Sequence, residues 1–341
     1  MKKGNLARSS NFELLRIISI IMIITLHYLE YYALPHANIG TLNYYIIHFI
    51  ESVCIMGVNC FVLITGYFLI NKDKVNIRKI IDLLLMVAFY GFIFYFMMMF
   101  INKSEFNIKE FIKAIIPFLA GKRWFVRTYM ILFLIAPYIN KSLITLSKKS
   151  FQILIIILMI FFSIWPSFVP YPPVDDFGYG IINFIVLYVI GAYIKLHFKN
   201  NKNIVIDLII YIICIISTYL FSLYYGPSWG YNFITNICGS IILFIIFSKL
   251  KIKSYKINYI ASFVFGIYIV HCDFQTQDLV FNKLLKCKLY SNSQFLIPHM
   301  LFSIIILFII SLIIDIIRKQ IFRKTIDPLT SNIKVLNKYI G

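Results

Sequence analysis

The stretch FELLRIISIIMIITLHYLEYY, residues 12 to 32, decides the fold of this chain. It is long and apolar enough to cross a hydrocarbon core of about 30 Å as one helix, yet it contains Arg16 and His27. These two residues are eleven positions apart, so a turn of about 100° per residue puts them on one helix face, about 16 Å apart along the axis. An ionisable group at mid-membrane costs about 2.5 kcal/mol or more. We therefore expect this face, which Glu13 and Glu30 extend, to line a protein interior or a wet cavity.

The composition is that of a polytopic membrane protein. Of the 341 residues, 60% are hydrophobic and 14% are charged, which excludes an ordinary soluble protein. The net charge of +19 comes from lysines and arginines in short runs between apolar segments, so it predicts membrane topology rather than a nucleic-acid partner. The six cysteines show no C-x-x-C spacing and lie mostly within apolar segments. We interpret them as small buried hydrophobic residues and expect no metal site.

Recurring apolar stretches predict an all-α bundle of about ten transmembrane helices, in a single membrane domain over residues 1–341. Residues 318–341 form a basic tail, and the segment between residues 102 and 127 has the spacing of a short interfacial or re-entrant helix. The even number of spans and the positions of the lysines predict a multi-pass plasma-membrane protein with both termini in the cytoplasm. The predicted spans lie near 12–32, 44–70, 79–101, 124–140, 151–169, 180–198, 204–225, 231–249, 260–281 and 296–317.

Four stretches in this order resemble the motifs of the acyltransferase 3 family of integral membrane enzymes. They are ELLRIISIIMIITLH (13–27), FVLITGYF (61–68), WFVRTYMILFLIAPYIN (124–140) and FGIYIVHCDF (265–274). The resemblance implies a bundle of ten or so helices that moves an acyl group, usually acetyl, from cytoplasmic acyl-CoA onto a sugar outside the membrane. The chain departs from the family pattern in having Glu13 for aspartate and Thr65 for serine. In the loop after the second span it has Arg78 and Lys79, but Ile81 at the position of a second arginine.

The first helix contains the main candidates for the chemistry. Neutral imidazole can take a proton from a hydroxyl or hold an acyl group, so we predict that His27 is the general base or a transient acyl carrier. Arg16 is predicted to hold the phosphates of acyl-CoA or to orient its thioester arm. Glu13, three residues earlier, is expected to pair with Arg16. Both His27 and Arg16 are therefore predicted catalytic residues.

The other candidates have a structural interpretation beside the functional one. Thr65 and Gly66 are small residues that allow close helix packing, and the resemblance places them near the site. Trp124 and Arg127 can anchor a helix at the membrane interface, or stack on and hydrogen-bond a sugar. His271 either lines the site or packs through a hydrogen bond. Arg78 and Lys79, in the loop after the second span, are the candidates for donor contacts, although the second arginine of the family pattern is absent there.

The prediction is a membrane-embedded O-acyltransferase that moves an acyl group from cytoplasmic acyl-CoA to a hydroxyl of a cell-surface or lipid-linked polysaccharide. Its partners are acyl-CoA as the donor substrate, the glycan acceptor and the lipid bilayer, with no tightly bound cofactor. A transporter or flippase for lipid-linked glycans is one alternative, and it favours two related halves and broken helices. A polysaccharide polymerase is another, and it favours large outer loops. The sequence shows neither two related halves nor broken helices, and its longest outer segment, about 26 residues, fits the polymerase pattern only in part.

Overall fold

The computed structural model describes residues 9–116, 122–198 and 203–330, and within these ranges all regular structure is helical. Short π-helical and 3-10 segments extend or join several of the α-helices, among them Leu29–Ala33 after the first helix and Ile160–Ile164 after the seventh. The α-helices are α1 (Ser10–Tyr28), α2 (Leu42–Cys54), α3 (Met56–Leu69), α4 (Ile77–Asn102), α5 (Ile108–Ile115), α6 (Trp124–Ile144), α7 (Lys148–Met159), α8 (Trp165–Phe168), α9 (Ile181–His197), α10 (Ile204–Ser222), α11 (Ile234–Lys249), α12 (Tyr255–Ala261), α13 (Val264–His271) and α14 (Leu296–Thr330).

The all-helical membrane fold is confirmed, whereas the count of ten spans is not. Within the described residues, seven helical segments are long and apolar enough to cross a membrane. Helix α9 is apolar but shorter, and α6 is long but carries Arg127, Asn140 and Lys141. The seven segments are Ser10–His36, Leu42–Leu69, Ile77–Asn102, Lys148–Phe168, Ile204–Ser222, Gly226–Lys249 and Leu296–Pro328.

The predicted span near 260–281 differs most from the structure. Instead of one helix, the chain forms α12 and α13, and α13 ends at His271 inside the protein. The turn after it is held by Asp273, whose carboxylate accepts a hydrogen bond from the backbone N–H of Gln275 at 2.9 Å and pairs with Arg123. Arg123 also donates to the carbonyl of Ile269, one of the last carbonyls of α13. These contacts end α13 at His271, and they give one of its last carbonyl groups a hydrogen-bond donor.

Two segments outside the long spans also bear on the predictions. The short helix predicted between residues 102 and 127 is present as α5, which Asn107 caps by accepting hydrogen bonds from the backbone N–H groups of Lys109 and Glu110. Residues 117–121 of that segment lie outside the described residues. The predicted tail begins as a continuation of α14 to Thr330, with Arg318 buried, and residues 331–341 lie outside the described part.

Helix α1 lies at the centre of the bundle. It contacts α2, α3, α11, α12, α13 and α14, so its polar face is enclosed by other helices rather than by lipid. The wall beside it is built on a close contact between α3 and α9, in which a Cβ at Gly66 would overlap the Tyr188 carbonyl and one at Gly191 would overlap the Leu63 carbonyl. Gly66 therefore allows the backbones of α3 and α9 to approach closely, the packing role expected of this small residue from the sequence.

Buried Asn140 fixes α6 to the same wall. Its side-chain amide donates to the carbonyls of Leu69 at 2.7 Å and Lys72 at 2.8 Å. These carbonyls lie at and just beyond the end of α3, where the last carbonyl groups of a helix have no hydrogen-bond donor within the helix. Its amide oxygen accepts a hydrogen bond from the Tyr188 hydroxyl at 2.7 Å. One side chain thus joins α3, α6 and α9.

The glycine contact predicts a stability change. Gly66→Ala should lower the midpoint of thermal unfolding in detergent, because the added methyl group overlaps a backbone carbonyl that cannot rotate away, at a cost of about 1–3 kcal/mol. Gly226→Ala is the matched control, since nothing lies within 4 Å of a Cβ placed there. Equal midpoints for the two variants would show that the α3–α9 contact does not limit stability.

Candidate functional site

A cavity of about 700 Å³ runs along the polar face of α1. Its wall includes Arg16 at one end and His27 further along, as their shared helix face predicted. Helices α3, α4, α6 and α13 form the other sides. The residues that line it from α1 and the following π-helical turn lie three or four positions apart, except for the adjacent last two: Arg16, Ile20, Ile23, His27, Glu30 and Tyr31. The cavity therefore connects the two predicted catalytic residues through one continuous space.

The Arg16 end of the cavity, which we call the basic end after Arg16 and Lys79, has charged side chains of both signs. The Arg16 guanidinium lies 3.3 Å from the buried carboxylate of Glu13, the pair expected from their spacing, and it still lines the cavity. Lys79 and Asp82 of α4 line the same end. Arg78 does not: its half-exposed side chain lies outside the lining, 4.0 Å from Asp82. Of the two basic residues predicted in the donor loop, the structure brings Lys79 to the cavity.

Thr65 lines the cavity between the two ends. Its hydroxyl donates to the Phe61 carbonyl within α3 at 2.8 Å and lies 3.4 Å from the Tyr129 hydroxyl. Its neighbour Gly66 makes the close backbone contact with α9. Thr65 thus presents a hydroxyl oxygen to the cavity that can accept a hydrogen bond.

Two histidines form a hydrogen-bonded chain at the centre of the cavity wall. Nδ1 of His271 lies 2.8 Å from the Ile267 carbonyl, which can only accept, so this nitrogen carries the proton. Nε2 of a neutral His271 is then an acceptor, and it lies 3.0 Å from Nδ1 of His27, which must donate. This assignment leaves Nε2 of His27 as a hydrogen-bond acceptor on the cavity side, with the Sγ atom of Cys272 3.8 Å away. Buried His271 does not line the cavity; it hydrogen-bonds the His27 ring on the side away from the cavity.

The buried ion pair of Arg123 with Asp273 is a feature that the sequence did not predict. The two side chains are 3% and 0% exposed, and Arg123 lines the cavity. The sequence pointed instead to Arg127, because it lies within the recognised motif, but Arg127 is exposed and does not line the cavity. Arg123 lies one residue before that motif, and its partner is 150 residues away, so no local spacing could reveal the pair.

The end of the cavity away from Arg16 is aromatic. The Trp124 ring lies 4.5 Å from Tyr179 and 5.5 Å from Tyr231 between ring centroids, and all three residues line the cavity. Burial raises the pKa of the Tyr179 phenol above its usual range, and the nearby Glu30 carboxylate raises it further. Tyr179, which lies in the loop before α9, therefore stays a neutral hydrogen-bond donor beside the carboxyl group of Glu30.

Comparison with known proteins places this geometry in a family. A family model described as an acyltransferase domain matches residues 9–316, nearly the whole chain. Neither the curated proteins nor the solved structures contain a match to the chain. The matched range includes the cavity and both histidines. The chain belongs to the acyltransferase 3 family and is a membrane acyltransferase.

Proposed function

We propose that this acyltransferase moves an acyl group, most simply acetyl, from acyl-CoA to a hydroxyl of a cell-surface or lipid-linked polysaccharide. The observation that carries the proposal is the hydrogen-bonded chain from Ile267 through His271 to His27, which leaves an unprotonated imidazole nitrogen in a cavity between a basic end and an aromatic end. A nitrogen so oriented can accept the proton of an acceptor hydroxyl. The family match to an acyltransferase domain favours this function over transport or polymerisation of glycans.

The basic end is suited to the donor. Acyl-CoA carries phosphates at one end and a long flexible arm that ends in the thioester, so fixed cations can hold it while the arm extends inward. Arg16 and Lys79 supply those cations. The distance of about 16 Å from Arg16 to His27 along α1 is one that such an extended arm can bridge. The proposal needs no metal and no tightly bound cofactor.

The protons on Nδ1 of His27 and Nδ1 of His271 leave Nε2 of His27 as the base for acyl transfer. Nε2 of His27 removes the proton from the acceptor hydroxyl, whose oxygen attacks the thioester carbonyl carbon. The carbon–sulfur bond then breaks, and the CoA sulfur takes the proton from the imidazolium. His271 acts as a positioning residue, since it fixes the tautomer and orientation of the His27 ring. A second route with the same residues has His27 hold the acyl group transiently before the hydroxyl attacks.

The aromatic end is suited to the acceptor. The rings of Trp124, Tyr179 and Tyr231 can pack against the apolar face of a sugar, while Glu30 and the Tyr179 hydroxyl can hydrogen-bond its hydroxyl groups. The distribution of lysines and arginines supports a plasma-membrane orientation with both termini cytoplasmic, in which the Arg16 end faces the cytoplasm. The donor would then enter from inside the cell and the acceptor from outside.

Loss of the His27 imidazole tests the chemistry. In a deletion strain that carries His27→Ala at matched membrane levels, the O-acetyl content of the envelope glycan should fall by about a hundredfold or more, as proton NMR can measure. His36→Ala is the control, because His36 is exposed beyond the cavity. If the deletion leaves O-acetylation unchanged while the glycan itself shortens or disappears, a transporter or polymerase replaces the acyltransferase proposal.

Donor binding is tested by charge removal. Arg16→Ala and Lys79→Ala should each raise the KM for acetyl-CoA about tenfold or more in membrane vesicles, because each removes a charge-assisted contact with phosphate. Arg78→Ala should change this KM by less than about twofold, since its side chain lies outside the cavity lining. A larger effect at Arg78 than at Lys79 would place the donor outside the cavity.

A further inference from the structure

Cys272, which directly follows α13, lies on the cavity wall. Its Sγ lies 3.8 Å from Nε2 of His27, the nitrogen that is a hydrogen-bond acceptor on the cavity side. The thiol can therefore donate its proton to the same atom that serves an acceptor hydroxyl. The other five cysteines do not line the cavity; they are Cys54, Cys60, Cys214, Cys238 and Cys287.

A second observation points to a ligand at this place. Arg123 is almost fully buried on the cavity wall and pairs with Asp273, the residue after Cys272. Its two NH groups donate to Asp273 and to the Ile269 carbonyl, and its buried Nε has no hydrogen-bond partner among the described residues. A buried guanidinium N–H without an acceptor is unfavourable. The positive charge of Arg123 acts on the position of Cys272, and it favours the carbonyl oxygen of an acyl group there. The negative charge of that oxygen in the tetrahedral state would strengthen the attraction.

We propose that Cys272 accepts the acyl group from acyl-CoA and holds it as a thioester until the acceptor hydroxyl takes it. This inference rests on the proposed function, since acyl-CoA is the donor. It differs from the two routes given above, in which the acceptor attacks acyl-CoA directly or His27 itself is acylated. The signal in the sequence is only that Cys272 directly follows the motif histidine.

The first half of the reaction forms the acyl-enzyme. Nε2 of His27 takes the Sγ proton as the sulfur attacks the thioester carbonyl carbon, because burial in the protein disfavours a free thiolate. The bond from that carbon to the CoA sulfur breaks, and the CoA sulfur receives the proton from His27. One thioester replaces another, so this exchange is close to balanced in free energy.

The second half returns the enzyme to its starting state. His27 takes the proton of the acceptor hydroxyl, and the hydroxyl oxygen attacks the carbonyl carbon on Cys272. The carbon–sulfur bond breaks, and Sγ recovers the proton from His27. CoA can leave before the glycan binds, so a single cavity of about 700 Å³ serves two substrates in turn.

Acyl-enzyme formation is the direct test. The purified full chain is incubated with radiolabelled acetyl-CoA and no acceptor, and protein-bound label is measured before and after neutral hydroxylamine, with peptide mass spectrometry to locate it. We expect about one label per chain, on Cys272, and none in Cys272→Ala. Cys238→Ala is the matched control and should label normally, since this partly exposed cysteine lies away from the cavity. Label that persists in Cys272→Ala, or that maps to His27, overturns the inference.

A second measurement separates this inference from the proposed function. In the deletion strain, Cys272→Ala and Cys272→Ser should both reduce glycan O-acetylation by about a hundredfold or more, with Cys272→Ser as the near-isosteric control for folding. If Cys272→Ala retains O-acetylation while His27→Ala loses it, the cysteine inference is wrong and the acyltransferase proposal stands. If the deletion itself leaves O-acetylation unchanged, the proposed function fails first.

Discussion

A charged side chain cannot remain unpaired in hydrocarbon, and this constraint organises the protein. A helix with Arg16 and His27 on one face has to be surrounded by other helices, and α1 contacts six of them. Several ionisable side chains of the described chain meet this constraint as ion pairs, within one helix or between two segments, whereas one carboxyl oxygen of buried Glu51 has no hydrogen-bond partner among the described residues. The ion pairs are Glu13 with Arg16, Arg123 with Asp273, Asp207 with Lys249, and Asp315 with Arg318.

The walls of the cavity are held in place by contacts between helices, and these contacts do not depend on anything bound in the cavity. The α3–α9 wall rests on backbone-to-backbone approach at Gly66 and Gly191, and Asn140 joins α6 to both helices. On the opposite side, the Tyr90 hydroxyl of α4 donates to Asp315 of α14 at 2.8 Å. Rigid surroundings of this kind keep catalytic groups in position at no cost during the reaction.

The sequence predicted what depends on local periodicity and failed where distant segments meet. The shared face of Arg16 and His27, the pair of Glu13 with Arg16 and the short helix α5 all follow from spacing along one stretch. The break after α13 does not, because it depends on Arg123, which is 150 residues from Asp273. The resemblance to a family drew attention to His271, but only the fold shows that it contacts His27.

The hydrogen bond from His271 to the Ile267 carbonyl has a bioenergetic consequence. A backbone carbonyl cannot pass on a proton, so the hydrogen bonds from His27 through His271 to Ile267 cannot conduct a proton away from His27. In the proposed reaction, a proton taken from the acceptor would therefore stay in the cavity until it departs on the sulfur of CoA, and the net reaction would neither consume nor release one. We expect acyl transfer to proceed at the same rate whether or not the membrane is energised.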